Sequence, residues 1–299
     1  MFNVPVAVFV FNRPDITRRL LGCLSLIKPD RLLVIADGPR VAKEGEVEAV
    51  RQVRALFEDL AWDCDVQFNY SDENMGCKGR VSSGLDWVFS KVDRAILLED
   101  DCIASASFFE FCQRMLERYE NDKRIMSVCG TRLAPEAVPA DSYSFSKYSI
   151  CWGWATWARA WKYYDGDMVC WDAVRRTNYL RWYLGGIRQG WYWNYMLGRV
   201  KRSEINSWAY RWMLSCWMNN GLSVVPGINL IENIGVGEDA THTTVDNKFF
   251  GVKAREASFT YEHPVDVMCD YEMDNWIEDH FYSKSVINRL RWLWKKIAD

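Results

Sequence analysis

Between residues 4 and 131 two kinds of segment alternate without interruption, and few folds accommodate that order. "VPVAVFVFN" (4–12) is a continuous apolar run with β-branched residues, the pattern of a strand buried on both faces. "RPDITRRLLGCLSLI" (13–27) follows with Ile16, Leu20, Leu21 and Leu24 at helical spacing and Pro14 suited to a first turn. "RLLVIADGP" (31–39) is a second strand, stopped by Gly38 and Pro39. The same reading gives a helix over 47–60, a strand over 64–71, a glycine-rich loop into a helix over 75–92, and a strand over 94–101. An amphipathic helix over 105–122 and a strand over 124–131 complete the series. Repeated strand–helix units predict a Rossmann-like α/β fold, a mostly parallel, doubly wound sheet flanked by helices. Ligands of such sheets bind outside the carboxyl ends of the strands. Asn12, Arg13, Asp37 and the triplet Glu99, Asp100 and Asp101 stand at those ends and are the first site candidates.

The triplet sits in "AILLEDDCI" (95–103), where an apolar strand runs directly into three acids. Like charges side by side repel, so something must offset them. Two arrangements do so. A divalent cation among the carboxylates makes the crowding tolerable, above all if it also touches phosphate. Alternatively, Asp100 or Asp101 caps the helix beginning near Ser105 while Glu99 faces solvent.

Bulk properties narrow the function. A net charge of −3 gives no broad basic face for nucleic acid. The ten cysteines show no CxxC or zinc-knuckle spacing, and several lie in apolar runs as small core residues, as expected of reduced thiols in the cytosol. The opening apolar run ends at Asn12 and Arg13, well short of the ~20 residues of a membrane span. A cytoplasmic protein, soluble or peripheral at the membrane's inner face, is expected. Much of the Trp content falls between 152 and 217, so the second half differs in character from the first.

At this point the chain resembles a known family. The "DG" after the second strand, the "ENMGCKG" loop and the "LEDD" strand end look like a glycosyltransferase of the GT-A type. "SICWGWATWARAWKYYD" (149–165), "NSWAYRWMLSCWMNNGLSVVPG" (206–227) and "NIGVGEDATHT" (233–243) are similar, in order and spacing, to bacterial sugar transferases related to the N-acetylglucosaminyltransferase I group. The resemblance spans roughly residues 4–245. It implies a GT-A fold, with residues 1–131 as the nucleotide-sugar half, 132–262 as a Trp-rich acceptor-side half, and 263–299 as a tail. It also implies a nucleotide-sugar donor, usually uridine-linked, a Mn²⁺ or Mg²⁺ ion, and a saccharide or lipid-linked glycan acceptor.

The resemblance assigns roles residue by residue. Asn12 and Arg13 would meet the nucleotide, Arg13 at its phosphate or base, and Asp37 would meet the uracil edge. Asn74, Gly76 and Lys78 would meet the diphosphate, Gly76 by close backbone approach and Lys78 by charge. Asp101 would bind the metal, Asp100 the ribose or a metal-bound water, and Glu99 the donor sugar. Trp152, Gly153 and Trp154 would line the donor or acceptor sugar, although Trp154, Trp157 and Trp161 also recur at the spacing of a buried helix. His242 would complete the metal or phosphate site.

An inverting transfer needs a base for the acceptor hydroxyl. In the resembled group that acid precedes the "SW" opening the Trp-rich helix, and here Asn206 stands in its place. Asn206 and Ser207 make a helix cap instead, which leaves Glu204 as the candidate base and Asp239 in reserve. A carbohydrate-binding module and a sugar nucleotidyltransferase are the competing classes. The latter usually carries an early glycine-rich stretch followed by a basic residue, and "FNRPD" contains no glycine. Finally, "SKSVINRLRWLWKKIAD" (283–299) sets an apolar helical stripe beside Lys284, Arg289, Arg291, Lys295 and Lys296, the pattern of either an interfacial helix for anionic lipid or a docked helix with snorkelling basic residues.

Overall fold

The computed structural model describes residues 2–136, 142–235, 249–257 and 262–282. The first half runs β1 (Val6–Val10), α1 (Pro14–Ile27), β2 (Arg31–Ala36), α2 (Glu46–Ala55), β3 (Asp65–Tyr70), α3 (Gly76–Lys91) and β4 (Arg94–Glu99). It continues through β5 (Cys102–Ala104), α4 (Ala106–Arg118) and β6 (Ile125–Cys129). The second half adds β7 (Tyr143–Ser146), β8 (Trp154–Trp157), α5 (Ala158–Trp161), α6 (Trp171–Val174), α7 (Tyr179–Tyr183) and α8 (Ile187–Lys201). Then come α9 (Trp208–Met218), β9 (Leu222–Pro226), β10 (Ile231–Asn233) and α10 (Tyr271–Ile277), which runs into a π-helical segment, Glu278–Tyr282.

Eight of the described strands form one sheet in the order β3-β2-β1-β4-β8-β6-β9-β7. The pairs β1–β2, β2–β3 and β1–β4 are parallel, as the repeated strand–helix units predict. The sheet is nevertheless mixed. β8 lies antiparallel to both β4 and β6, and β7 antiparallel to β9. "WATW" (154–157) is therefore a central strand and not helical, and only the following Ala158–Trp161 turns into helix. Trp154, Trp157 and Trp161 are all buried, so no polar side remains to reveal the period.

Alternate residues of the strands serve opposite faces. Val6, Val8, Val10, Leu32, Val34 and Ile96 pack under α1 and α4. Ala7, Phe9, Leu33, Ile35 and Leu97 pack under α3 and α9, where Trp154, Trp161, Trp208 and Trp212 join them. A third core in the second half gathers Tyr148, Trp193, Leu197 and Trp217. Among the described residues no helix is long and apolar enough to cross a membrane.

Candidate functional site

From β1 the chain winds outward through β2 to β3, then returns to place β4 on the other side of β1. The crevice between the carboxyl ends of β1 and β4 is thus the switch point of the sheet, where loops diverge and a ligand fits. Parallel pairing sets Phe9 beside Glu99, so the residues just beyond each strand face one another. Those residues are Arg13 and the acid triplet.

Arg13 answers the charge problem. Its Nε donates to Asp100 Oδ2 at 3.3 Å, and its Nη2 donates to Asp100 Oδ1 and, at 3.2 Å, to Asp101 Oδ2. Burial works against the guanidinium's charge, but the two carboxylates outweigh it and hold the Arg13 pKa above its ordinary value. Asp100 is buried. Desolvation raises its pKa and Arg13 pulls the other way. The side chain of Glu99, half-buried, has no hydrogen-bond or ion-pair partner among the described residues. Burial first, then Asp101 and Asp100, push its pKa up. Neither Asp100 nor Asp101 caps α4; Ser105 does, its hydroxyl accepting from Phe108 N at 3.3 Å.

Two cavities of about 430 Å³ each meet at this point and share Arg13, Cys77 and Glu99. One is polar, with Asn12, Asp37, Arg40, Lys43 and Asn74 in its wall. The other is aromatic, with Trp152, Trp208, Tyr210, Phe250, Phe281 and Tyr282. Burial and the nearby Glu99, Asp101 and Asp37 lift the Cys77 thiol pKa to about 12, which disfavours the thiolate form.

In the polar cavity Asp37 already has a full set of donors. Gly38 N and Met75 N donate to Oδ1, each at 2.9 Å; Gly76 N donates to Oδ2 at 3.0 Å and Asn74 Nδ2 at 3.1 Å. A carboxylate has about four lone-pair positions, and all are met. Asp37 therefore ties the 74–76 loop and the start of α3 to the end of β2, and Asn74 reinforces the tie by donating to Gly38 O at 2.8 Å. A uracil edge would need one of these bonds to give way. Asn12 donates to Glu46 Oε1 at 2.8 Å, and Glu46 also accepts from the Arg40 backbone and guanidinium. Those bonds from Arg40, stronger than the opposing burial, lower the Glu46 pKa to about 2. Arg40 and Lys43 are the residues that sequence reading missed; a basic pair just after the "DGP" turn was the available signal. Lys78 lines neither cavity, and the charges acting on it are those of Arg211 and Asp167.

On the aromatic side Trp152 packs against Phe250 at 4.6 Å between ring centroids. Gly153 is confined: its φ is +59°, and a Cβ there would lie 2.4 Å from Ile231 Cδ1. Trp154 departs from expectation, since it is buried in β8 against Trp208 and Trp212 and cannot reach a sugar. Ser207 alone caps α9, accepting from Tyr210 N at 3.4 Å, while Asn206 is exposed and outside the cavity wall. Glu204 is also absent from the wall. It is exposed and receives bonds from Arg199 Nε at 3.1 Å and Arg202 Nε at 2.6 Å, which lower its pKa and make it a poorer base.

His242, Asp239 and residues 283–299 lie outside the described residues. Among the described residues no three His, Cys, Asp or Glu side chains are grouped as a metal site. The hard oxygens of Asp100 and Asp101 suit Mg²⁺ or Mn²⁺ in kind. The antiparallel pair β5–β10 places Ile234 beside the triplet, its N donating to Asp101 O at 2.9 Å.

No protein-family model matches the chain, and no curated protein matches it in sequence. Solved structures similar to it include a 4-diphosphocytidyl-2C-methyl-D-erythritol synthase from Anaerococcus prevotii, at 8% identity and a TM-score of 0.31, over 53% of this chain and 73% of that one. A UDP-glucose pyrophosphorylase complexed with UDP-glucose is similar at 7% identity and a TM-score of 0.26, over 49% of this chain and 64% of that one. An apo UDP-glucose pyrophosphorylase is similar at 9% identity and a TM-score of 0.26, over 48% and 65%. The chain thus spans less than two thirds of either pyrophosphorylase structure, and a likeness this slight says nothing of what this chain does.

Proposed function

We propose that the protein is a glycosyltransferase that moves a sugar from a nucleotide-sugar donor, a uridine-linked one by preference, to a saccharide or lipid-linked acceptor. The observation that carries this reading is the pair of cavities meeting at Glu99 and Arg13. Group transfer between two molecules needs two adjoining compartments with charged groups at the junction. The polar compartment, with Arg13, Arg40 and Lys43, fits a nucleoside diphosphate. The aromatic compartment fits sugar rings, which stack through their C–H faces on residues such as Trp152 and Tyr210.

In this reading Asp101, with Asp100 beside it, holds a Mn²⁺ or Mg²⁺ ion, which would offset the charge of the leaving diphosphate. Arg13 orients the two carboxylates and supplies further positive charge at the same place. Asp37 and Asn74 fix the loop that borders the nucleotide compartment. Glu99, raised in pKa and open to both compartments, meets the donor sugar.

A second reading, nucleotidyl transfer to a sugar phosphate, is favoured by the same cations, since Arg13, Arg40 and Lys43 suit a triphosphate as well. One experiment separates the two. The protein is incubated with Mn²⁺ and a panel of UDP-sugars, and in parallel with UTP and sugar phosphates. Release of UDP supports glycosyl transfer, release of pyrophosphate supports nucleotidyl transfer, and release of neither rejects both.

A further inference from the structure

Four large side chains stand exposed on two consecutive helices: Trp182 at 74%, Ile187 at 66%, Trp191 at 56% and Tyr195 at 47%. Ile187, Trp191 and Tyr195 recur every four residues along α8 and so share one face. The Trp191 and Tyr195 rings stack with centroids 6.1 Å apart and planes nearly parallel, at 7°. The opposite face of α8, with Tyr192, Trp193, Leu197 and Val200, is buried in the core of the second half. Gly190 lets α7 cross closely, for a Cβ there would lie 2.7 Å from Arg181 Cα. Trp182 and Trp191 are the chain neighbours of that crossing pair. Solvent-facing tryptophans gathered in this way mark an interaction surface.

The charge around them is one-sided. From Ala173 to Ser203 the sequence holds Arg175, Arg176, Arg181, Arg188, Arg199, Lys201 and Arg202, and no Asp or Glu, in a chain whose net charge is −3. The Arg181 guanidinium lies 5.3 Å from the centre of the Trp182 ring, and that of Arg199 lies 5.8 Å from the Tyr195 ring. Ion pairs of Arg175 with Asp172, of Arg188 with Asp279, and of Arg199 and Arg202 with Glu204 set three acids against these seven basic residues and leave an excess of positive charge.

We propose that the α7–α8 face docks on an anionic lipid bilayer. Aromatic rings with an apolar body and a polar edge favour the headgroup level, and arginines beside them meet lipid phosphates. The inference is independent of the transferase reading, because it concerns where the protein rests and not what it transfers. Peripheral contact here would bring the chain to the surface where lipid-linked molecules are held.

Sedimentation with sucrose-loaded vesicles tests it, using the full chain and its Trp182→Ser/Trp191→Ser variant. The parent should pellet with equimolar phosphatidylcholine and phosphatidylglycerol, and not with phosphatidylcholine alone. The variant should bind about tenfold or more weakly, given the apolar area withdrawn from the interface. Its melting temperature and UDP affinity should be those of the parent, and either single variant, with an intermediate loss, serves if the pair proves unstable. Three results overturn the proposal: no binding by the parent; undiminished binding by the variant, with loss only on deleting 283–299; or a parent dimer that the substitutions dissociate while vesicle binding stays unchanged.

Discussion

Arg13 and Asp100, 87 residues apart in sequence, are joined by a two-pronged contact, Nε to Oδ2 at 3.3 Å and Nη2 to Oδ1. The side chain of Asp100 is 4% exposed and that of Arg13 25%. Removing one partner of such a pair leaves a buried charge without compensation. Arg13→Ala should therefore lower the unfolding free energy by about 2–4 kcal/mol at pH 8. The loss should shrink at pH 4, where Asp100, its pKa raised by burial, takes up a proton. Urea titration at the two pH values checks this, and equal losses would show that the pairing is not what Arg13 contributes.

Glu99 has a raised pKa, first through burial and then through Asp101 and Asp100. A carboxyl raised in the folded state favours its neutral form there. Its stabilising share is complete below the ordinary carboxylate pKa of roughly 4.3 and is lost as the pH rises through the shifted value. Glu99→Gln removes that loss. The variant should gain on the order of 1–2 kcal/mol over the parent at pH 8 and almost nothing at pH 4. Thermal melts across the range decide, and a gain independent of pH would sink the assignment.

Asp37 is tied by four donors, two from backbone NH groups of the 75–76 turn. Asp37→Ala should destabilise the fold by about 1–3 kcal/mol, the usual consequence of stranding buried donors. Asp37→Ala should also weaken UDP binding, and Asn74→Ala, which removes one of the four donors and the bond to Gly38 O, should weaken it less. Calorimetry with UDP reads both. Parent-like affinity in both variants would separate the loop from the nucleotide.

At Gly153 a side chain meets both a left-handed backbone and the Ile231 side chain at 2.4 Å. Gly153→Ala should cost about 2–4 kcal/mol. Because the nearest atom is Ile231 Cδ1, the double variant with Ile231→Val should recover part of the loss. An additive double variant, measured by chemical denaturation, would show that the backbone angle alone is responsible.

Glu204→Gln should leave turnover within a few-fold of the parent, since the carboxylate is exposed and held by Arg199 and Arg202 outside the cavity. A fall of 10²–10⁴, the usual share of a general base, would restore Glu204 as the base.

What the sequence disclosed follows burial. β1, β2 and β4 are apolar on both faces, so their runs and their stops were plain, and the rim residues Arg13 and 99–101 followed from them. Trp154 misled because complete burial erases the difference between a period of two and one of 3.6. Asp37 was legible as a strand-end acid but not as an anchor, since two of its donors come from NH groups at Met75 and Gly76, far along the chain. Glu204 stood close in sequence to the position of the expected base, yet it falls in the bend after α8, where Arg199 and Arg202 hold it away from the cavity, a fact of how the chain folds back and not of sequence spacing. Arg40 and Lys43 were passed over because a loop cation looks the same whether or not a cavity opens beside it.

The insertion of β8 between β4 and β6 has a consequence for synthesis. Both neighbours leave the ribosome before the strand that joins them, and each waits with an open row of amides and carbonyls. A nascent chain halted before Trp154 therefore carries three sticky edges in what will become the middle of the sheet, one on β4 and both on β6, whose other neighbour β9 is also still to come. Fragments ending there should associate with one another; the emergence of Trp157 closes the gap between β4 and β6, and the last open edge of β6 waits for β9 to be complete at Pro226.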